Sequence, residues 1–219
     1  MTHIKLTGVT RPEDAAAAAA LGVDSIACVF SARSPRYVTS TTAWAIRRTL
    51  PPSTRFVGVF VDTPAPIVQR LVDQCQLDAA QLFGHEPRAD VDAIVPYAFK
   101  AVTVRTAADL DAAVKAYGRR GRDPLWPTLA VHLVGDVRAD WNLAAGVADR
   151  YPVLLASEAL TDRQIPGAMH AAAPWGLDLW ESVEQSPGVL DHARLADAVA
   201  AIRAHDAQGV RAEGSQRRR

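Results

Sequence analysis

Apolar residues in this chain fall into short runs, many of them β-branched, alternating with longer stretches of helical period. Arg55 to Asp62 (RFVGVFVD) is an almost unbroken apolar run, the mark of a strand buried on both faces. Ile4 to Gly8, Ser25 to Phe30, Asp78 to Leu82 and Phe99 to Val104 are further strands, followed by Thr128 to Val134, Pro152 to Ala156 and Leu177 to Trp180. Between them the pattern predicts helices over Ala15–Leu21, Ser40–Leu50, Pro64–Gln74 and Pro87–Val95. Four more follow over Ala107–Tyr117, Trp141–Arg150, Asp162–Ala172 (weakened by Pro166-Gly167) and His192–His205. Thr10, with Glu13 three residues on and Pro12 between, suits the cap of the first helix.

Strand and helix alternate eight times in about 200 residues, which fits a single (β/α)8 barrel. The competitor is a doubly wound open sheet, since alternation alone does not distinguish a closed sheet from one with edges. No GxGxxG follows the first strand, which weakens the dinucleotide-binding version. The barrel is expected over residues 1–206, with 207–219 a disordered polar tail ending in Arg217 to Arg219. In a barrel the chemistry sits at the C-terminal ends of the strands. That places Thr7, Gln81, Phe83, His132, Ser157, Glu158, Trp180, Glu181 and Ser182 on the working face.

Composition narrows the partners. The formal net charge is zero, so no basic stripe marks a nucleic-acid footprint. No stretch approaches the roughly 20 apolar residues that span a bilayer, and no apolar secretion core opens the chain. The expectation is a cytoplasmic protein, monomer or homodimer, acting on a small molecule. The two cysteines, Cys28 and Cys75, have no metal-motif spacing and read as buried apolar residues, so no metal is expected.

Several segments together resemble the phosphoribosylanthranilate isomerase family, from Ile4 to about Arg203. They are Lys5-Leu6-Thr7-Gly8, Ser34-Pro35-Arg36-Tyr37, Val57 to Val61, Ala80-Gln81-Leu82, Lys100-Ala101-Val102, Asp140-Trp141 and Val183 to Gly188. The resemblance implies a (β/α)8 barrel without cofactor. It also implies an Amadori rearrangement that opens a phosphoribosyl ring on anthranilate into an aminodeoxyribulose. Such chemistry needs an acid for the ring oxygen, a base for the sugar C2 proton and a seat for the phosphate.

The family's motifs are changed at those three places. Thr7 stands where the family has its basic Cys, and a hydroxyl needs an activating partner to act as a base near neutral pH. His132 replaces the acidic Asp that ends the sixth strand, and histidine can donate a proton. The loop from Leu133 to Ala139 is several residues shorter than the family's and lacks its GGTG segment. Glu158 and Glu181 fall where the family has the glycines and serines that cradle phosphate, and Trp180 adds bulk there. Two unit charges at ~4 Å repel by about 4 kcal/mol at an effective dielectric of 20. Arg36 matches the family arginine that faces the anthranilate carboxylate, and Phe83 replaces a family His.

These changes predict a repurposed barrel. Its substrate would be non-phosphorylated and partly apolar or aromatic, turned over by an isomerase or cyclase of natural-product metabolism. His132, Glu158, Glu181 and Thr7 are the candidate catalytic residues. Arg36, Gln81, Phe83, Trp180, Ser157 and Ser182 are the candidate binding residues. The alternatives are an N-(5'-phosphoribosyl)anthranilate isomerase of tryptophan biosynthesis with an atypical site, and a non-catalytic ligand-binding barrel.

Overall fold

The apolar runs pair in chain order into a closed, all-parallel barrel of eight strands. A computed structural model describes residues 1–118, 126–127, 129–133, 137–148, 151–157 and 160–216. The strands are β1 (His3–Thr7), β2 (Ser25–Val29), β3 (Arg55–Phe60), β4 (Ala79–Leu82), β5 (Ala98–Val104), β6 (Leu129–Leu133), β7 (Val153–Ser157) and β8 (Gly176–Leu179). Closure is made by β1 against β8, with Lys5 opposite Asp178 in register. The open-sheet alternative is thereby excluded.

The helices are α1 (Pro12–Ala20), α2 (Ser40–Arg47), α3 (Ala65–Cys75), α4 (Arg88–Ala93), α5 (Ala107–Tyr117), α6 (Val137–Ala148), α7 (Ile165–Ala172) and α8 (His192–Gln216). α5 starts where its sequence predicts because Thr106 and Asp109 form a reciprocal capping box, and it stops as predicted, with Gly118 at its C-cap. The expected Thr10 cap is not made. Arg11 occupies the N-cap of α1 without a side-chain bond, and the Thr10 hydroxyl donates instead to the Gly188 carbonyl at 2.6 Å. Pro166 stands in the first turn of α7, where a missing N–H costs nothing, so it starts that helix rather than interrupting it. α8 continues past His205 to Gln216, taking in most of the expected tail. A short antiparallel pair, β9 (Glu184–Ser186) and β10 (Val189–Leu190), follows β8 and was not foreseen.

Side-chain alternation sorts the strands into two cores. Leu6, Ile26, Phe56, Phe60, Ala80 and Leu82 belong to the larger one, between sheet and helices. Val57, Val59, Phe99, Ala101, Ala130 and Leu154 pack together in the smaller one, inside the barrel. Trp126 closes its N-terminal end, stacked on Tyr97 at 5.8 Å and under the Arg55 guanidinium. Lys5, Thr7, Gln81, His132 and Asp178 share the inward parity of this second set. That is what carries polar chemistry into an otherwise apolar lumen.

The N-terminal face carries a pH-sensitive element. His3 stacks on Trp175 at 4.4 Å and shares a hydrogen bond with Ser25 Oγ. Burial pulls its imidazole from 6.5 to about 4, with Arg55, Lys5 and Arg203 adding to the pull and Asp24 opposing it. The folded pKa lies below the unfolded one, so the stability linked to His3 is complete above pH 6.5 and is lost as pH falls toward 4. The loss amounts to up to about 3 kcal/mol. His3→Phe keeps the stack and removes the titration. Urea midpoints measured at pH 7.5 and pH 4.5 should therefore converge in the variant relative to the wild type.

Candidate active site

At the C-terminal end of the barrel lies a cavity of about 260 Å³. Thr7, Gln81, Phe83, His132 and Trp180, singled out from the sequence, all line it. So do Asp178 and Arg33, which were not. Valines from β2 and β3 and alanines from β5 to β7 make the remaining wall mostly apolar.

The floor is a buried charge cluster. Lys5 Nζ donates to Asp178 Oδ2 at 2.7 Å and also to Thr7 Oγ1, while Thr7 Oγ1 donates to Asp178 Oδ1 at 2.6 Å. All three side chains are at least 95% buried. Burial pulls the Lys5 ammonium well below its usual range, and the Asp178 carboxylate opposes this. The Thr7 hydroxyl therefore has a carboxylate partner. It lies 171 residues away in sequence and is brought opposite by barrel closure. The signal for this cluster was available, because Lys5 and Asp178 each interrupt an apolar strand and an unpaired buried charge is costly.

His132 stands on β6 with its ring 5.8 Å from Phe83, edge-on, and 5.5 Å from Trp180. Glu181 is not in the cavity lining. Its carboxylate accepts from Arg36 Nη2 at 3.1 Å. Ser182 lies off the lining; among the described residues its buried Oγ has no hydrogen-bond partner, and neither has the buried Gln81 Oε1. Glu158 lies outside the described residues, as do positions 134–136 of the shortened loop after β6, and the Ser157 side chain is not described.

Arg36 is 5% exposed and engaged from several sides. Its Nε and Nη2 donate to Glu184 at 2.6–3.1 Å, Nη2 also reaches Glu181, and the guanidinium lies 5.3 Å from the Trp180 ring centre. These bonds, from Glu184 first, raise its pKa further. The side chain crosses Gly8, whose φ is +91° and where a Cβ would come within 2.6 Å of Arg36 Cδ. Only glycine meets both demands.

A second buried pair braces the neighbouring rim. Lys100 Nζ bonds the carbonyls of Leu82, Gly84 and Ala101 and pairs with Glu86 at 3.1 Å. Glu86 in turn accepts from the Asp62 and Gly84 amides. The cysteines are buried as expected, and desolvation raises the pKa of both thiols. Among the described residues no group of three or more His, Cys, Asp or Glu could hold a metal ion, and no helix is long and apolar enough to cross a membrane.

The fold and site define a (β/α)8 barrel with ionisable side chains facing a small-molecule-sized cavity at the strand ends. The model of the N-(5'-phosphoribosyl)anthranilate (PRA) isomerase family matches residues 4–201, and the chain belongs to that family. The PRA isomerase of Syntrophus aciditrophicus is 33% identical over all of this chain and 94% of its own length. That of Pelobacter propionicus is 32% identical over 89% of this chain and 92% of its own. The crystal structure of the Thermotoga maritima enzyme superposes with a TM-score of 0.82 at 26% identity, over 93% of this chain and 100% of its own. A PRA isomerase bound to reduced 1-(o-carboxyphenylamino)-1-deoxyribulose 5-phosphate superposes at 0.80, with 27% identity and the same coverage. The Thermotoga enzyme, also studied as monomers, is described as dimeric.

These relatives overturn one expectation from the sequence. A non-phosphorylated substrate and a cyclase role in natural-product metabolism were inferred from the altered phosphate motifs. Relatives matching nearly the whole chain are instead isomerases of a phosphoribosyl compound. Glu181 is not a free charge, because its carboxylate is paired with Arg36 at 3.1 Å.

Proposed function

We propose that this chain isomerises N-(5'-phosphoribosyl)anthranilate, with Thr7–Asp178 in place of the family's thiolate and His132 in place of its acid. The observation that carries this reading is the 2.6 Å bond from Thr7 to Asp178 on the floor of the cavity that His132 also lines.

His132 in its protonated form gives a proton to the ribose ring oxygen. The bond from that oxygen to C1 breaks, and the nitrogen lone pair forms the C1=N iminium. The C2 proton then passes to Thr7 Oγ1 as the hydroxyl proton moves to Asp178 Oδ1. The electrons of the C2–H bond become the C1=C2 bond of an enolamine, and this tautomerises to the 2-ketone. Lys5, 2.7 Å from Asp178 Oδ2, holds that carboxylate in place beside Thr7. Pairing with Arg36 reduces the charge that Glu181 presents to an incoming phosphate.

Complementation tests the reading. A tryptophan auxotroph lacking its own PRA isomerase should grow without tryptophan when it carries this chain. It should fail to grow with His132→Gln, because losing a general acid lowers turnover by about 10²–10⁴-fold. Growth with His132→Gln equal to that of the wild type would remove His132 from the mechanism.

A further inference from the structure

We propose that Phe83 sets an upper limit on the size of the substrate's aryl group. Its ring is the partition between the catalytic cavity and a second, mostly apolar groove on β5 that would hold a further fused ring. This rests on the isomerase reading and adds a specificity-determining residue to it.

Three observations carry it. First, an open groove of about 610 Å³ lies beside the catalytic cavity, between β5, α5 and the loop after β4, and Phe83 and Ala101 line both spaces. Ala101 is 3% exposed and has nothing beyond Cβ to give up. Phe83, half-buried just past the end of β4, is therefore the part of the shared wall that can be shortened. Its ring stands edge-on to His132 at 5.8 Å. The catalytic cavity alone, at about 260 Å³, falls at the small end of ligand pockets.

Second, the groove offers mainly carbon. Val102 of β5 and Ala112, Ala113 and Ala116 of α5 line it. The charged and phenolic groups on its walls are already engaged. Lys100 Nζ bonds three carbonyls and Glu86, and the Tyr117 hydroxyl donates to the Glu86 carbonyl at 2.9 Å. Asp109 caps α5, and His85 meets Asp62. Such a surface suits a hydrocarbon extension rather than a charged one.

Third, polarity changes around the cavity. Thr7 and Asp178 stand on the neighbouring strands β1 and β8. Val29, Val59, Val61 and Phe83 stand on or just after β2, β3 and β4, which adjoin one another. Sugar hydroxyls suit the first side, where Thr7 meets C2, and a flat ring suits the second. An aryl group enlarged by one ring grows toward Phe83.

The test uses the unreactive ligand reduced 1-(o-carboxyphenylamino)-1-deoxyribulose 5-phosphate and its counterpart with a carboxynaphthyl in place of the carboxyphenyl group, measured by titration calorimetry. The wild type should bind the one-ring compound more tightly by about tenfold or more, because a packed wall resists added carbons. Phe83→Ala should narrow that preference to within about threefold, and Phe83→Leu, which keeps more of the wall, should narrow it in the same direction. Ala112 does not line the catalytic cavity, and Ala112→Phe fills the groove from α5. Added to Phe83→Ala, it should restore the preference to about tenfold. Equal binding of the two compounds by the wild type, or no binding of either, would overturn the assignment. So would a preference undiminished in both Phe83 variants, or a Phe83→Ala/Ala112→Phe protein that stays permissive. Proteins that show the expected preferences while the wild type leaves PRA unconverted would refute the isomerase reading and support this one.

Discussion

Asp178→Asn is expected to lower kcat/KM for PRA by about 10²–10⁴-fold, the usual contribution of a positioned general base. The asparagine keeps the shape and can still meet Thr7, but it cannot take up the proton that Thr7 passes on. It also leaves the Lys5 ammonium buried without its counter-ion, at a cost of about 3–5 kcal/mol. Asp178→Asn alone should therefore melt early, and lost activity could then reflect lost fold. The double variant Lys5→Met/Asp178→Asn separates the two effects. With charge removed from both partners it should regain most of the wild-type stability, while activity stays as low as in the single variant. Thermal unfolding and PRA turnover on the same three proteins give both readings. A double variant that recovers turnover along with stability would assign the cluster to folding alone.

Arg36→Met should destabilise the barrel by about 3–5 kcal/mol, because Glu184 then remains as a buried carboxylate whose remaining bond is from the Gly188 amide. For a chain of this size each kcal/mol shifts the melting midpoint by about 2–4 °C, so a fall of about 6–20 °C is expected. Arg36→Met/Glu184→Leu should recover most of it. A single variant that melts within about 2 °C of the wild type would mean that the guanidinium contributes little to the fold and is free for ligand.

The barrel was legible because its strands are buried on both faces, so each appears as an apolar run, and because parallel strands need a helix between them. The start of α5 was legible to the residue because its cap is local, Thr106 to Asp109. Thr10 misled for the opposite reason. Its hydroxyl is used by a carbonyl 178 residues away, and no local pattern announces that. The site divides along the same line. Thr7, Gln81, His132 and Trp180 could be placed because strand ends follow from the runs, and the structure brings them to one cavity. The Lys5–Asp178 pair and the Arg36–Glu184 pair join the two ends of the chain across the closure, so partner identity was hidden even where each charge was visible. Glu181 shows how much this matters. Read alone it repels phosphate, and read with Arg36 it is half of an ion pair.

In the proposed isomerisation, Thr7 and Asp178 together remove the C2 proton of a phosphoribosyl substrate. The most direct measurement of this step is the primary isotope effect on conversion of PRA deuterated at C2 by the purified protein, followed as loss of substrate fluorescence. Turnover of the deuterated substrate should be slower by a factor of several, in a rate that Asp178→Asn suppresses. No conversion of PRA, or conversion with equal rates for both isotopes and for the Lys5→Met/Asp178→Asn protein, would contradict it.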